Sequence, residues 1–102
     1  MSEAAARLRM NERSARRHRV KVITAIRSVG SADVDLQIDS ISAIGFSGRT
    51  EGLFRRDEDV IVHLPIIGDM AARLAWVKGD TIAGEFARTI DANGLVAELT
   101  AI

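Results

Sequence analysis

From Val20 onward, apolar and polar positions alternate in short runs separated by Gly, Ser, Asp and Pro. In "VDLQI", Val34, Leu36 and Ile38 fall on one side while Asp35, Gln37 and Asp39 fall on the other, the clearest period-2 signal in the chain. "VKVITAIRSV" before it is β-branched and alternating, and "GSAD" between the two supplies turn chemistry through Gly30 and Ser31. "FSGRTEG" continues as a short edge-like strand, "LFRRDEDV" as a charged connection, and "VIVHL" as a buried strand ended by Pro65. "AARLAWV" and "TIAGEFAR" form a hairpin across "KGD", where Gly79 suits a tight turn. The period then lengthens. "DANGLVAELTAI" reads as a helix capped by Asp91, with Leu95, Leu99 and Ile102 on one stripe.

About six short strands and one closing helix predict an all-β fold, a six-stranded antiparallel barrel whose closure removes exposed edges. An open sandwich is the alternative. Residues 20–102 make up the barrel domain with its terminal helix. Residues 1–19 precede it as an arm that is expected to be flexible, although "EAAARLR" within 2–10 can form a short helix.

Composition refines this outline. The chain has 102 residues, 47% hydrophobic and 27% charged, enough for one core without disulfides or metal. It has no cysteine, which excludes a disulfide framework and thiolate metal sites and suits a cytoplasmic location. No apolar run approaches the length of a membrane span, so no membrane insertion is expected, and the N-terminus lacks the apolar region of a secretory signal. The net charge of zero conceals a polarised chain. Residues 1–19 hold six arginines against two glutamates, a balance of +4, and the rest of the chain carries −4. Such an arm points to an anionic partner, because guanidinium forks match phosphate oxygens and guanine edges; a solvated tail folding back on the acidic body is the plainer alternative.

Catalytic chemistry is not apparent. There is no cysteine nucleophile, no tyrosine and only two histidines: His18 in the arginine cluster and His63 within an apolar strand, a packed or surface residue. No Ser-His-Asp set or metal-ligand spacing stands out, so the chain is not expected to be an enzyme. Trp76 in "RLAWVKG" is read as a half-buried core residue rather than a ligand platform.

What remains is an ordered set: a basic arm, two strands, then "SISAIG". In this order the chain resembles the PilZ family, bacterial receptors for the second messenger cyclic di-GMP. Members carry an RxxxR motif leading into the first strand and a (D/N)xSxxG motif after the second. This chain has "RSARRHRVKV" and, about twenty residues on, "SISAIGF"; "LAWVKGDTIAGEF" is similar to the family's penultimate hairpin. The resemblance spans residues 13 to about 91.

It implies a ligand-binding set of Arg13, Arg16, Arg17, Arg19, Ser40, Ser42 and Gly45, with cyclic di-GMP as ligand, no other cofactor, and a downstream protein as partner. Two departures bear on it. Ser40 stands where the family has Asp or Asn, a side chain that helps hold a guanine edge, and strict alternation places neighbouring Asp39 on the opposite face. The arginines fit two registers. Arg13 and Arg17 form the literal motif; counted back from the strand, Arg19 matches, Ala15 takes the first arginine's place and Arg16 is an adjacent extra. In the implied site the arginines pair with phosphates and stack on guanine. Ser42 offers its hydroxyl to turn or ligand, and Gly45 permits close backbone approach or unusual geometry. Otherwise "SISAIG" is a turn with a Gly-assisted bulge. The remaining alternatives are a degenerate module of the same fold acting by protein contact alone, and a basic-arm nucleic-acid-binding barrel. Nucleic acid is disfavoured by the scarcity of aromatics, 4% of the chain.

Overall fold

The structure, a computed structural model, describes residues 16–100. Six strands run in chain order: β1 (His18–Ser28), β2 (Val34–Ile41), β3 (Gly45–Arg49), β4 (Asp59–Leu64), β5 (Gly68–Lys78) and β6 (Thr81–Phe86). One helix follows, α1 (Ala92–Thr100). The strands close into an antiparallel barrel in the order β1-β2-β3-β6-β5-β4, with β1 pairing both β2 and β4. The expected all-β barrel with a terminal helix is therefore the fold. The arm's expected flexibility, its short helix, Arg13 and Ile102 lie outside the described residues.

Alternation explains the core. Ile26, Leu36, Ile38, Phe46, Val62, Leu64, Leu74 and Ile82 point inward and are essentially excluded from solvent. Phe46 stacks on Phe86 with ring centroids 5.8 Å apart. Turns form where small residues were expected: Gly30 and Gly79 take φ of 85° and 61°, which a side chain would disfavour. At the start of α1, the Asp91 carboxylate accepts the Gly94 N–H at 3.0 Å, the expected N-cap.

The pairing shifts register at three places, between Arg19 and Val22 on β1, between Ile38 and Ser40 on β2 and between Leu74 and Trp76 on β5, and the bulges on β2 and β5 decide where the polar side chains go. The β2–β3 register jumps between Ile38↔Gly48 and Ser40↔Ser47, leaving Asp39 as an extra residue on β2. Ile38 and Ile41 are consequently both buried, three positions apart, and Asp39 and Ser40 both lie on the outer face. Strict alternation had put them on opposite faces; the bulge corrects that. The second bulge lies between Leu74 and Trp76, where the paired residues step from Gly84 to Ala83. Leu74 points inward, yet Trp76 points outward and is 44% exposed. Trp76 is not a core residue.

Candidate functional site

The arm reaches the barrel at the mouth where β1 begins and the β2–β3 turn lies. β1 starts at His18, two residues earlier than the apolar pattern suggested, so Arg19 belongs to the first strand and Arg16 and Arg17 directly precede it. Arg19 pairs across the ladder with Ser40. The Arg17 guanidinium donates to Ser40 Oγ at 2.9 Å. Arg16 instead borders a small cavity with His18, Ala43 and the N-terminal residues of α1. Three of the four predicted arginines thus surround one mouth of the barrel, with Arg17 and Arg19 converging on Ser40.

Ser42 and Gly45 have a different surrounding. Ser42 is 2% exposed. Its Oγ accepts the N–H groups of Ile44 and Gly45 at 3.3 and 3.2 Å, and its own N–H donates to the Gly45 carbonyl at 2.9 Å. The hydroxyl is thereby committed to the β2–β3 turn. Gly45 satisfies the expectation of close approach, but toward protein. A Cβ there would sit 2.3 Å from the Gly84 carbonyl oxygen of β6. The same turn is tied to the chain's end: Phe86 N–H donates to the Ile44 carbonyl at 2.7 Å, and Ile90 N–H to the Ala43 carbonyl at 2.8 Å.

The outer face carries a row that sequence alignment alone did not assemble. Registers link Arg19↔Ser40, Ser40↔Ser47, Ser47↔Ala83 and Ala83↔Trp76 across five strands. At about 4.8 Å per strand step, the row extends roughly 19 Å. Its floor is small and polar or methyl-sized, with Ser40 and Ser47 hydroxyls 2.6 Å apart. Cations stand at one end and the exposed indole of Trp76 at the other. Alongside runs an ion-paired rim: Arg49 donates to Asp39 at 3.3 Å, and Gln37 donates to the same carboxylate at 2.8 Å. Ser47, Ala83, Trp76, Arg49 and Asp39 are the members that motif matching missed. The "FSG" triplet sets a part-exposed serine between two buried residues, and that pattern was the available signal for Ser47; Ala83, 5% exposed within the wholly buried "IAG", had none and enters the row only through its register.

Elsewhere, His63 is a surface residue on β4, its Nδ1 2.9 Å from Asp69, which also receives Arg27 at 3.1 Å. The hydrogen bond from His63, and then that from Arg27, holds the Asp69 carboxyl below the usual carboxylate range. Arg27, held mainly by Asp69, is raised in turn. Among the described residues no group of three or more His, Cys, Asp and Glu side chains is arranged to hold a metal ion, and no helix is long and apolar enough to cross a membrane.

No protein-family model matches the chain, and no curated protein matches it.

Proposed function

We propose that the outer row from Arg17 and Arg19 to Trp76 receives cyclic di-GMP, making the protein a non-enzymatic receptor in bacterial second-messenger signalling, acting in the cytoplasm. The supporting observation is the row itself: cations, a hydroxyl-bearing floor without bulky side chains, and an exposed indole in register on one face. Guanidinium groups pair with phosphates bidentately, and an indole offers a stacking surface for a base. Asp39, brought outward beside Ser40, supplies a carboxylate near the place where the PilZ motif has its Asp or Asn. Ligand contact with Arg17 would be transmitted through Ser40 to the β2–β3 turn, which is bonded to the segment leading into α1. A downstream protein would read that end of the barrel.

One observation favours the second reading, a module of this fold that acts by protein contact alone. Ser42 and Gly45, the two residues matching the motif most closely, are both accounted for by the fold without a ligand.

Isothermal titration of the full chain with cyclic di-GMP, against GTP and a short single-stranded oligonucleotide, separates the possibilities. Preferential binding of cyclic di-GMP is expected, weakened at least about tenfold by Arg17→Ala and by Trp76→Ala, each a loss of roughly 1.4 kcal/mol or more. Both side chains are exposed or at the barrel's rim, so the variants stay folded. No heat at millimolar ligand with folded protein would establish the protein-contact module. Equal binding of the oligonucleotide with steep salt dependence would establish a nucleic-acid binder.

A further inference from the structure

The most unusual backbone feature is at the turn between β4 and β5. Ile67 N–H donates to the Pro65 carbonyl at 2.6 Å, closing a three-residue γ-turn with Ile66 at its centre. Ile66 has φ of 70°, a left-handed conformation that is strained for a β-branched residue. It is also 72% exposed, and Ile67 beside it is 38% exposed. Glycine would relieve the strain, and a polar residue would avoid the exposed apolar surface. The chain holds an isoleucine there instead. Strain of this kind persists only where the surrounding structure holds it, and it clusters at sites of function.

Ile66 and Ile67 themselves form one wall of a groove of about 510 Å³ between the turn and α1. Met70, Ile90 and Leu95 form its apolar floor, and Arg88 and Glu98 stand on its rim. Among the described residues neither Arg88 nor Glu98 makes an ion pair. One patch therefore holds an apolar projection, an apolar recess, and unpaired charges of both signs. A two-fold interface requires just such a self-complementary surface, because each element must meet its counterpart on an identical copy. A heterologous partner would require only one half of each pair.

We propose that this face joins two copies of the chain in a symmetric dimer, Ile66 of each seated in the groove of the other and Arg88 opposing the partner's Glu98. The ten residues lining the groove are fewer than the roughly 20–30 per partner of a standard stable interface, so a reversible dimer with micromolar or weaker dissociation is expected. The interface lies at the helix end of the barrel and does not depend on the nucleotide proposal.

Sedimentation velocity of the full chain, from about micromolar to about millimolar, tests this directly. A concentration-dependent monomer–dimer equilibrium is expected. Ile66→Asp should raise the dissociation constant at least about tenfold, and so should Arg88→Glu. The double variant Arg88→Glu with Glu98→Arg should regain most of the lost affinity, which a mere folding defect would not. Ile66→Gly supplies a further discriminating measurement: it should weaken the dimer while melting at or above the parent temperature, because it releases the turn's strain. A chain monomeric throughout the range would overturn the proposal. So would a dimer indifferent to both single substitutions, or one lost only when residues 1–15 are removed.

Discussion

Replacing Gly45 by alanine separates a glycine kept for the fold from one kept for a ligand. The added methyl would lie 2.3 Å from the Gly84 carbonyl oxygen and 3.4 Å from the Glu85 Cα. Ordinary carbon contacts begin near 3.5 Å, so the shortfall at the oxygen is about 1.2 Å. A flexible side chain would swing aside, but this obstacle is the backbone of β6, held between β3 and β5. The strands must part locally. Over-packing of this kind costs about 1–3 kcal/mol, and weakening one or two ladder hydrogen bonds adds about 1 kcal/mol each. A loss of roughly 2–5 kcal/mol is a large share of the ~5–15 kcal/mol that holds such a domain folded. At about 4–8 °C per kcal/mol, the melting temperature should fall by at least roughly 8 °C. Thermal and urea unfolding followed by circular dichroism measure this. Gly30→Ala provides the control: nothing lies within 4 Å of its Cβ, and only the φ of 85° opposes it, so about 1–2 kcal/mol is expected. Gly45→Ala within about 1 kcal/mol of the parent protein would refute the close-approach reasoning. A normally stable variant that has lost nucleotide binding would return the glycine to the ligand's side.

Ser42→Ala leaves the Ile44 and Gly45 N–H groups without their acceptor and should cost about 1–3 kcal/mol in urea unfolding, with the slope of the transition unchanged. Asp69, whose folded carboxyl is depressed by His63 and Arg27, binds protons less readily folded than unfolded, so its contribution is present at neutral pH and lost on acidification. The stability difference between the parent protein and Asp69→Asn should therefore shrink as pH falls below about 4; a difference that stays constant through that range would dissociate Asp69 from the acid response.

Much of the fold was legible because most strands are half-buried and keep period 2. "VDLQI" and "VIVHL" lose their register if shifted by one residue, so the buried set identifies both strand and face. Boundaries were harder. β2 continues through Ser40 and Ile41, residues that looked like the start of a turn, because the bulge at Asp39 resets the alternation and returns Ile41 to the core. β5 likewise begins at Gly68 rather than Ala71, since pairing with β4 extends to Leu64↔Gly68 whatever the intrinsic preference of "GDM".

The candidate site was only half legible, for the same physical reason. Alternation counts residues along one strand, whereas a surface row is composed of residues related by register across several. A bulge changes that register without leaving a distinctive residue type behind. Hence Trp76 seemed to belong to the core: two positions from Leu74, it should share its face, and the inserted residue moves it outside. Asp39 was set aside by the same counting. Its return to the outer face changes the meaning of Ser40. A serine beside an outward carboxylate can accept from Arg17 and share a hydrogen bond with Ser47, while Asp39 binds Arg49 and Gln37 on the rim. An aspartate at position 40 would set a second carboxylate beside the first, and like charges that close oppose one another. The serine is thus physically coherent with the bulge that precedes it.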